Sequence, residues 1–325
     1  MNIVLYLNSE LPALKYGGTQ RVVYYLAQEL IGLGHNVTLL IKGITQEIDI
    51  PYIIYDENKE FNSQVPKTTD IVHIHSNIPK DIDFPYVFTM HGNLNDTREL
   101  DQNTIFVSKN HAQRYGSESY VHNGLRWEDY LTPKLDTKRD YYHFLGNGAW
   151  RVKNLKGAID IAKKAGEDIK VLGGDRFNFK MGLRLTFTPK ASFYGMVGGS
   201  YKDELLSSSK GLIFPVLWHE PFGLAIIESL YFGAPVFATP YGSLTELVPK
   251  EVGFLSNKKS ELIEAVKQNN FDRDICHQYA KENFNAKKMA TEYLIKYEDV
   301  INSKKLNLQK PSLKKIQTEK FLEFN

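Results

Sequence analysis

Glu220 and Glu228 have seven residues between them, and all seven are apolar (Pro221, Phe222, Gly223, Leu224, Ala225, Ile226, Ile227). The run Phe222–Phe232 reads as a helix buried on most sides. Glu228 then sits in its middle, where a carboxylate is costly unless something hydrogen-bonds it. Two kinds of partner would serve: the vicinal hydroxyls of a ligand such as a ribose, or a structural Arg or Lys. Pro221 suits the first helical turn, where a missing N–H costs nothing. Gly223 lets a ligand come close to the backbone. The free N–H groups of a helix start can hold an anion such as a diphosphate. Glu220 just before the helix, and Glu228 about two turns further on, could both face one ligand placed there. Beyond the helix, Gly233-Ala234-Pro235 turns into a strand, and Tyr241-Gly242-Ser243 opens a short helix carrying Glu246.

Other chemistry-bearing residues weigh less on their own. His73 and His75 alternate on a strand and point to one face. With His91 they raise a metal site, but two such histidines fit a strand edge without metal, and that reading is preferred. Asp81-Ile82-Asp83 superficially matches an acidic metal–nucleotide motif, yet it lies in a proline-flanked loop. Gly173-Gly174-Asp175 follows a strand but lacks the rest of the G-x-G-x-x-G fingerprint, which argues against a nicotinamide-dependent oxidoreductase.

The elements that must position these residues follow a β-α-β rhythm. Ile3–Leu7, Val37–Ile41, Tyr52–Tyr55, Ile71–Ile74, Tyr86–Thr89 and Ile105–Val107 read as strands. Thr19–Leu33 reads as a helix, with Val22, Leu26 and Leu30 on one face. A polar stretch, Thr132–Asp140, reads as a linker. The rhythm restarts with strands at Tyr141–Leu145, Ile169–Leu172, Leu212–Pro215 and Val236–Ala238. Helices are expected at Leu155–Lys164, Tyr201–Ser208, Phe222–Phe232, Ser243–Leu247 and Glu261–Lys267. The expected fold is α/β, with two Rossmann-like doubly wound domains and a ligand cleft between the carboxyl edges of their sheets. The expected division is 1–135, 136–300 and a basic tail 301–325. Arg176–Tyr194 breaks the rhythm and reads as a β-hairpin insertion or as a surface loop.

The chain has 325 residues, 42% hydrophobic and 24% charged, with a net charge of +2, which suits two globular domains. So small a charge gives a nucleic-acid role little support. A single cysteine, Cys276, excludes an internal disulfide and fits a reducing cytoplasm. Met1–Leu7 lacks the features of a signal peptide, and no apolar run is long enough to span a bilayer. From Lys304 to Asn325 six lysines face two glutamates. Three readings of this tail stay open: packing across the amino-terminal domain, contact with anionic lipid, and a solvated, partly disordered arm. The last is preferred.

The segment His219-Glu220-Pro221-Phe222-Gly223-Leu224, with Glu228 and Gly233-Ala234-Pro235-Val236, resembles the E-x7-E signature of retaining glycosyltransferase family 4, whose enzymes have the GT-B fold. Gly242 and Glu246 resemble the G-x-x-x-E that follows it. Gly17-Gly18 with Arg21, Asp70–His75, Thr89-Met90-His91-Gly92 and Val121-His122-Asn123-Gly124 stand in the family's order, so the resemblance covers roughly residues 1–300. It implies that Glu228 binds the donor ribose and that Glu220 contacts hydroxyls of the transferred sugar. Backbone N–H groups at Phe222, Gly223 and Leu224 would hold the sugar or diphosphate. Gly17 and Gly18 would lie against the diphosphate, and His91 near the reacting sugar and acceptor. One departure is plain. Where the family has a glycine-arginine pair, this chain has Gly146-Asn147, followed by Trp150-Arg151-Val152-Lys153-Asn154-Leu155-Lys156-Gly157. A leaving diphosphate needs positive charge. Lys156-Gly157 best resembles the family's Lys-Gly, Arg151 is the candidate replacement arginine, and Lys153 is expected to be a solvated surface charge.

The resemblance implies transfer of a hexose-type sugar, with retention, from a nucleotide-diphosphate sugar to a hydroxyl acceptor, a glycan or lipid-linked precursor of the cell envelope. UDP-sugars are favoured only by general frequency. No metal, cofactor or nucleic-acid partner is expected. The expected location is the cytoplasm, with contact at the inner face of the membrane through 304–325 as one option. A GT-B sugar-nucleotide epimerase and an inactive GT-B partner subunit are the alternatives.

Overall fold

The computed structural model describes residues 1–13 and 17–325. It forms two compact units. The first comprises Met1–Trp127 with Phe284–Gln317, and the second comprises Glu128–Asn283 with Thr318–Asn325.

The first unit is built on six parallel strands: β1 (Asn2–Leu11), β2 (Asn36–Ile44), β3 (Tyr52–Ile54), β4 (Ile71–Ile74), β5 (Tyr86–Met90) and β6 (Thr104–Phe106). Their spatial order is β3-β2-β1-β4-β5-β6, the doubly wound order with its switch point between β1 and β4. Central strands of such a sheet are covered on both faces, so they read as continuous apolar runs. Ile3, Val4, Leu5, Val72 and Ile74 are all buried accordingly. Helix α1 (Gly18–Gly32) buries Val22, Val23, Leu26, Ala27 and Leu30. The short helices α2 (Phe61–Gln64) and α3 (Lys109–Arg114) complete the amino-terminal part.

The second unit repeats the plan. Strands β7 (Tyr141–Leu145) and β8 (Ile169–Leu172) flank α4 (Leu155–Ala165). A two-stranded antiparallel hairpin follows, β9 (Phe177–Asn178) and β10 (Arg184–Leu185), and then β11 (Ala191–Phe193). Helix α5 (Gly199–Ser207), β12 (Ser209–Phe214), α6 (Leu224–Tyr231), β13 (Val236–Ala238), α7 (Leu244–Leu247), β14 (Gly253–Leu255), α8 (Lys259–Gln268) and α9 (Arg273–Asn283) come next. The sheet order is β11-β8-β7-β12-β13-β14. With the hairpin set aside, this is the same order as in the first unit, and the switch point falls between β7 and β12. Both units are therefore Rossmann-like α/β domains, as the sequence rhythm predicts. The segment 176–194 proves to hold a hairpin followed by the edge strand β11.

Three expectations are corrected. The stretch 132–140 is not the linker between the units, because it lies inside the second, which begins at Glu128. Arg139 is buried and donates to the carbonyls of Ser209, Phe232 and Gly233 at 2.9, 2.7 and 3.0 Å, so it caps the end of α6. Burial pushes its guanidinium down to about 10. Residues 284–300 do not stay with the second unit. Helix α10 (Ala286–Ile301) packs on α1 and buries Met289, Tyr293 and Tyr297 in the first. The tail is not a solvated arm. Leu313 is buried with Met90, Phe106, Ala112 and Tyr115, and Asn307 donates to the carbonyls of Gln102 and Thr104, both at 2.9 Å. Among the described residues no helix is long and apolar enough to cross a membrane.

Candidate functional site

In a doubly wound sheet, loops at the carboxyl edge of the switch point are where a ligand finds an open crevice. In the second unit those loops are 146–154 after β7 and 215–223 after β12. They are stitched together. Leu217 N–H donates to the Val152 carbonyl at 2.7 Å, and the Asn154 side chain donates to the Pro215 carbonyl at 2.9 Å. Asn154 is also the N-cap of α4, accepting from Gly157 N–H at 3.0 Å in a left-handed conformation. Asparagine is suited to both tasks. The stitching holds Lys153 against Glu220, with Nζ 2.6 Å from Oε2 and both side chains buried. Trp218 Nε1 donates to the same Oε2 at 2.9 Å. Lys153 Nζ also lies 5.1 Å from the ring centroids of Phe214 and Trp218. All the hydrogen bonds to Glu220's carboxylate fall on Oε2, and Oε1 is left unengaged among the described residues.

The expectation that Lys153 is a solvated charge is thereby corrected. Arg151 and Lys156 are the exposed ones. Arg151 stacks over Phe321, 5.1 Å from its centroid, and with Lys156 lines a cavity of about 330 Å³ whose walls include Leu183 and Arg184. Neither is ion-paired with Glu220 or Glu228 among the described residues. The cue was available in the sequence: an Asn N-cap at 154 places Lys153 just outside the helix at the sheet edge, and Lys156 in its outward-facing first turn.

Helix α6 begins at Leu224, two residues later than the periodicity suggests, so Pro221 and Phe222 precede it. Its N-cap is Gly223, at φ +90°, and no side chain caps the helix. A Cβ at Gly223 would lie 3.2 Å from Glu220 Cγ and 2.9 Å from Ile226 Cδ1, so glycine is required both by backbone conformation and by space. A second clamp fixes Glu220 from behind. Ser243 N–H donates to the Glu220 carbonyl at 2.9 Å, and Ser243 Oγ donates to the Phe222 carbonyl at 2.6 Å. Gly242, at φ +65°, is paired with Glu220, and a Cβ there would fall 2.3 Å from its carbonyl oxygen. Glu246 is half-buried on α7.

Glu228 lies deep in α6. It is ion-paired through Oε1 with the buried Lys202 of α5, and Tyr130 Oη donates to the same oxygen at 3.1 Å. Of the two partners weighed from sequence, the structural cation is thus present. Behind the helix, His143 is fully buried, with Nδ1 2.7 Å from Ser209 Oγ and Nε2 2.8 Å from Ser229 Oγ. Burial lowers it to about 3, so it is neutral and structural.

In the first unit, Gly17 is the N-cap of α1, and its carbonyl accepts Arg21 N–H at 3.1 Å. Gly18 is the first helical residue. His73 is locked by Tyr297 Oη and Thr89 Oγ1, both at 2.7 Å. His75 Nδ1 lies 2.9 Å from His91 Nε2, so one ring donates to the other. Burial pushes His91 down to about 4, and His73 and His75 well below their ordinary value. Among the described residues no group of three or more His, Cys, Asp or Glu side chains is placed to hold a metal ion.

Residues 132–285 match the family model described as glycosyl transferases group 1. The fold is shared with solved glycosyltransferases. AviGT4, a glycosyltransferase involved in avilamycin A biosynthesis, is similar with a TM-score of 0.74 at 21% identity, over 93% of this chain and 98% of that one. A glycosyltransferase from Rickettsia africae gives 0.70 at 18% identity, over 92% and 98%. HepE of Anabaena, in complex with UDP-glucose, gives 0.64 at 16% identity, over 93% and 100%. No curated protein matches the sequence. The protein has the GT-B type of fold, two Rossmann-like domains in tandem. The matched segment contains Glu220, Glu228, Lys153 and α6.

Proposed function

We propose that the protein transfers a sugar from a nucleoside diphosphate sugar to a hydroxyl acceptor with retention of anomeric configuration. The observation that carries this is Glu220, with Oε2 pinned by Lys153 and Trp218 and Oε1 open, at the uncapped start of α6. Oε1 accepts hydroxyls of the donor sugar. The helix start, at Phe222, Gly223 and Leu224, and the Lys153 ammonium stabilise the diphosphate as it leaves. Lys153 takes the place first given to Arg151 and Lys156. Glu228, oriented by Lys202 and Tyr130, binds the ribose. The resemblance assigns Gly17 and Gly18 of the first unit to the diphosphate and His91 to the reacting sugar. Among the described residues no side chain near Glu220 stands out as a covalent nucleophile, so attack comes on the face of the leaving group, whose phosphate oxygen takes the acceptor proton. The protein then works by positioning and charge stabilisation. HepE binding UDP-glucose supports a uridine donor, and the acceptor is a glycan or lipid-linked glycan precursor on the cytoplasmic side. The ion-paired Glu220–Lys153 arrangement favours an active transferase over an inactive GT-B subunit.

Glu220→Gln keeps the acceptor for Lys153 and Trp218 and removes the charge. It is expected to lower transfer roughly a hundredfold or more and, because it leaves the buried Lys153 ammonium without its countercharge, to lower the melting temperature while the fold seen by circular dichroism is kept. Wild-type rates in that variant would sink the assignment. A thermal-shift panel of UDP, GDP and ADP, with their sugars, identifies the base, because a bound ligand stabilises the native state.

A further inference from the structure

The hairpin β9–β10 carries its side chains the wrong way round for a surface in water. Strand residues alternate between faces, and an exposed strand ordinarily turns its polar set outward. Here the polar set points in. Asn178 is buried and donates to the carbonyls of Lys180 and Gly182 at 2.6 and 3.0 Å, closing the turn. Arg176 donates to the carbonyls of Thr186 and Thr188 at 3.2 and 3.1 Å, and Arg184 to Thr186 Oγ1 at 2.8 Å and the Asp175 carbonyl at 2.7 Å. Thr186 is buried. Every second residue from Phe177 to Phe187 is instead a large hydrophobic side chain in solvent. Phe179 and Phe187 are each 77% exposed, Leu183 69% and Met181 64%. The inward bonds fix the hairpin, so the apolar row cannot be hidden by rotating it.

We infer that this hairpin docks the second unit onto an anionic lipid surface, with Phe179, Met181, Leu183 and Phe187 entering the interface. Two features point to lipid. The row stands on a two-stranded ribbon, with Phe177 and Phe187 in contact (ring centroids 5.9 Å) and Phe179, Met181 and Leu183 exposed around the turn, an apolar tip that suits insertion among acyl chains. The surrounding charge is mostly basic. Residues 176–190 contain Arg176, Lys180, Arg184 and Lys190 and no acidic residue; the two arginines bond inward and Lys190 is ion-paired with Asp168, so Lys180 carries the positive charge at the turn. Arg151, which lies against the turn at Gly182, and Lys156 add to it. Lys163 borders the adjoining cavity of about 860 Å³, whose one acid, Asp160, is already ion-paired with Lys164 and Lys259. A basic collar around an apolar wedge is complementary to anionic headgroups over acyl chains. It repels a second copy of itself. The surface differs from the basic tail 304–317, which is packed in the first unit, and it does not depend on the proposed reaction.

The test is sedimentation of the full chain with phosphatidylcholine vesicles, with and without phosphatidylglycerol. The wild type is expected to bind only the anionic vesicles. Phe179→Ser with Phe187→Ser is expected to lower that partitioning at least tenfold. Leu308→Ser, in the tail at a side chain 99% exposed, is expected to leave it unchanged. Insertion is read separately with Met181→Cys carrying a polarity-sensitive dye. The native Cys276 is buried, with its thiol pushed up to about 12, so the dye goes to one place and its emission should shift blue on anionic vesicles. No binding by the wild type, equal binding by the Phe179/Phe187 variant, or an unshifted dye would overturn the inference. So would a wild-type dimer that the same variant turns into a monomer.

Discussion

The two units share one strand order and treat polar side chains at the switch point differently. In the first, the buried groups beside β4 and β5 are neutral. His73, Thr89, Tyr293 and Tyr297 form one closed network, and His75 with His91 adds a pair. Nothing in the network carries charge near neutral pH, because burial holds all three imidazoles below their ordinary range. In the second, the corresponding edge holds two buried ion pairs, Glu220–Lys153 and Glu228–Lys202. Buried charge pairs are weak contributors to stability compared with apolar packing. A fold that needed only stability would do as well with the neutral arrangement of the first unit. The charged version is where a charged ligand has something to bind, which is the physical basis for placing the donor site there.

Breaking the Glu220 pair is expected to have the largest effect. Lys153→Met leaves Glu220 buried without its cation, a loss of about 3–5 kcal/mol, and should lower transfer by roughly 10²–10³-fold. Lys153→Met combined with Glu220→Gln should recover much of the melting temperature and none of the rate. If the rate returns with stability, the pair is only structural. Next comes Lys202→Met, with a similar loss of stability read from urea melts. Glu228→Gln, which keeps the Tyr130 and Lys202 contacts, should weaken donor binding by roughly tenfold, seen in KM more than in kcat. An unchanged KM would move the ribose elsewhere.

Acid is expected to weaken both units. His91 and His143, lowered in the fold to about 4 and about 3, titrate near 6.5 when unfolded. The unfolded chain therefore binds more protons as pH falls below about 6.5. Stability should drop from there down through about 4, by an amount on the order of a few kcal/mol, and these groups contribute no slope above that window. Chemical denaturation between pH 7 and 4 checks this. A flat profile would mean the imidazoles are not held neutral. The smallest effect is expected for Tyr297→Phe, which removes one partner of His73 in the closed network. It should cost about 1–3 kcal/mol and leave transfer unchanged, since no ligand is placed there.

The sequence by itself determined most of the frame. Apolar runs of strand length alternating with amphipathic helices specified both sheets, because hydrophobic period reports which faces are buried. Glu220, Gly223 and Glu228 were legible from one short stretch, since a carboxylate inside an apolar helix demands a partner whatever the rest of the chain does. Short elements such as β11 (Ala191–Phe193) and β14 (Gly253–Leu255) were not legible, because a serine in the one and a glycine in the other leave no continuous apolar run. Helix α10 was not read from the sequence, and its place on the first unit was missed with it; even a recognised helical pattern does not say which sheet it covers. What only the tertiary structure decided is the identity of the partners. Lys153 was one of three cations within six residues, and Lys202 lies 26 residues from Glu228. A lysine's role depends on which carboxylate the packed loops bring within reach, and that is a long-range fact fixed by the stitching of 146–154 to 215–223.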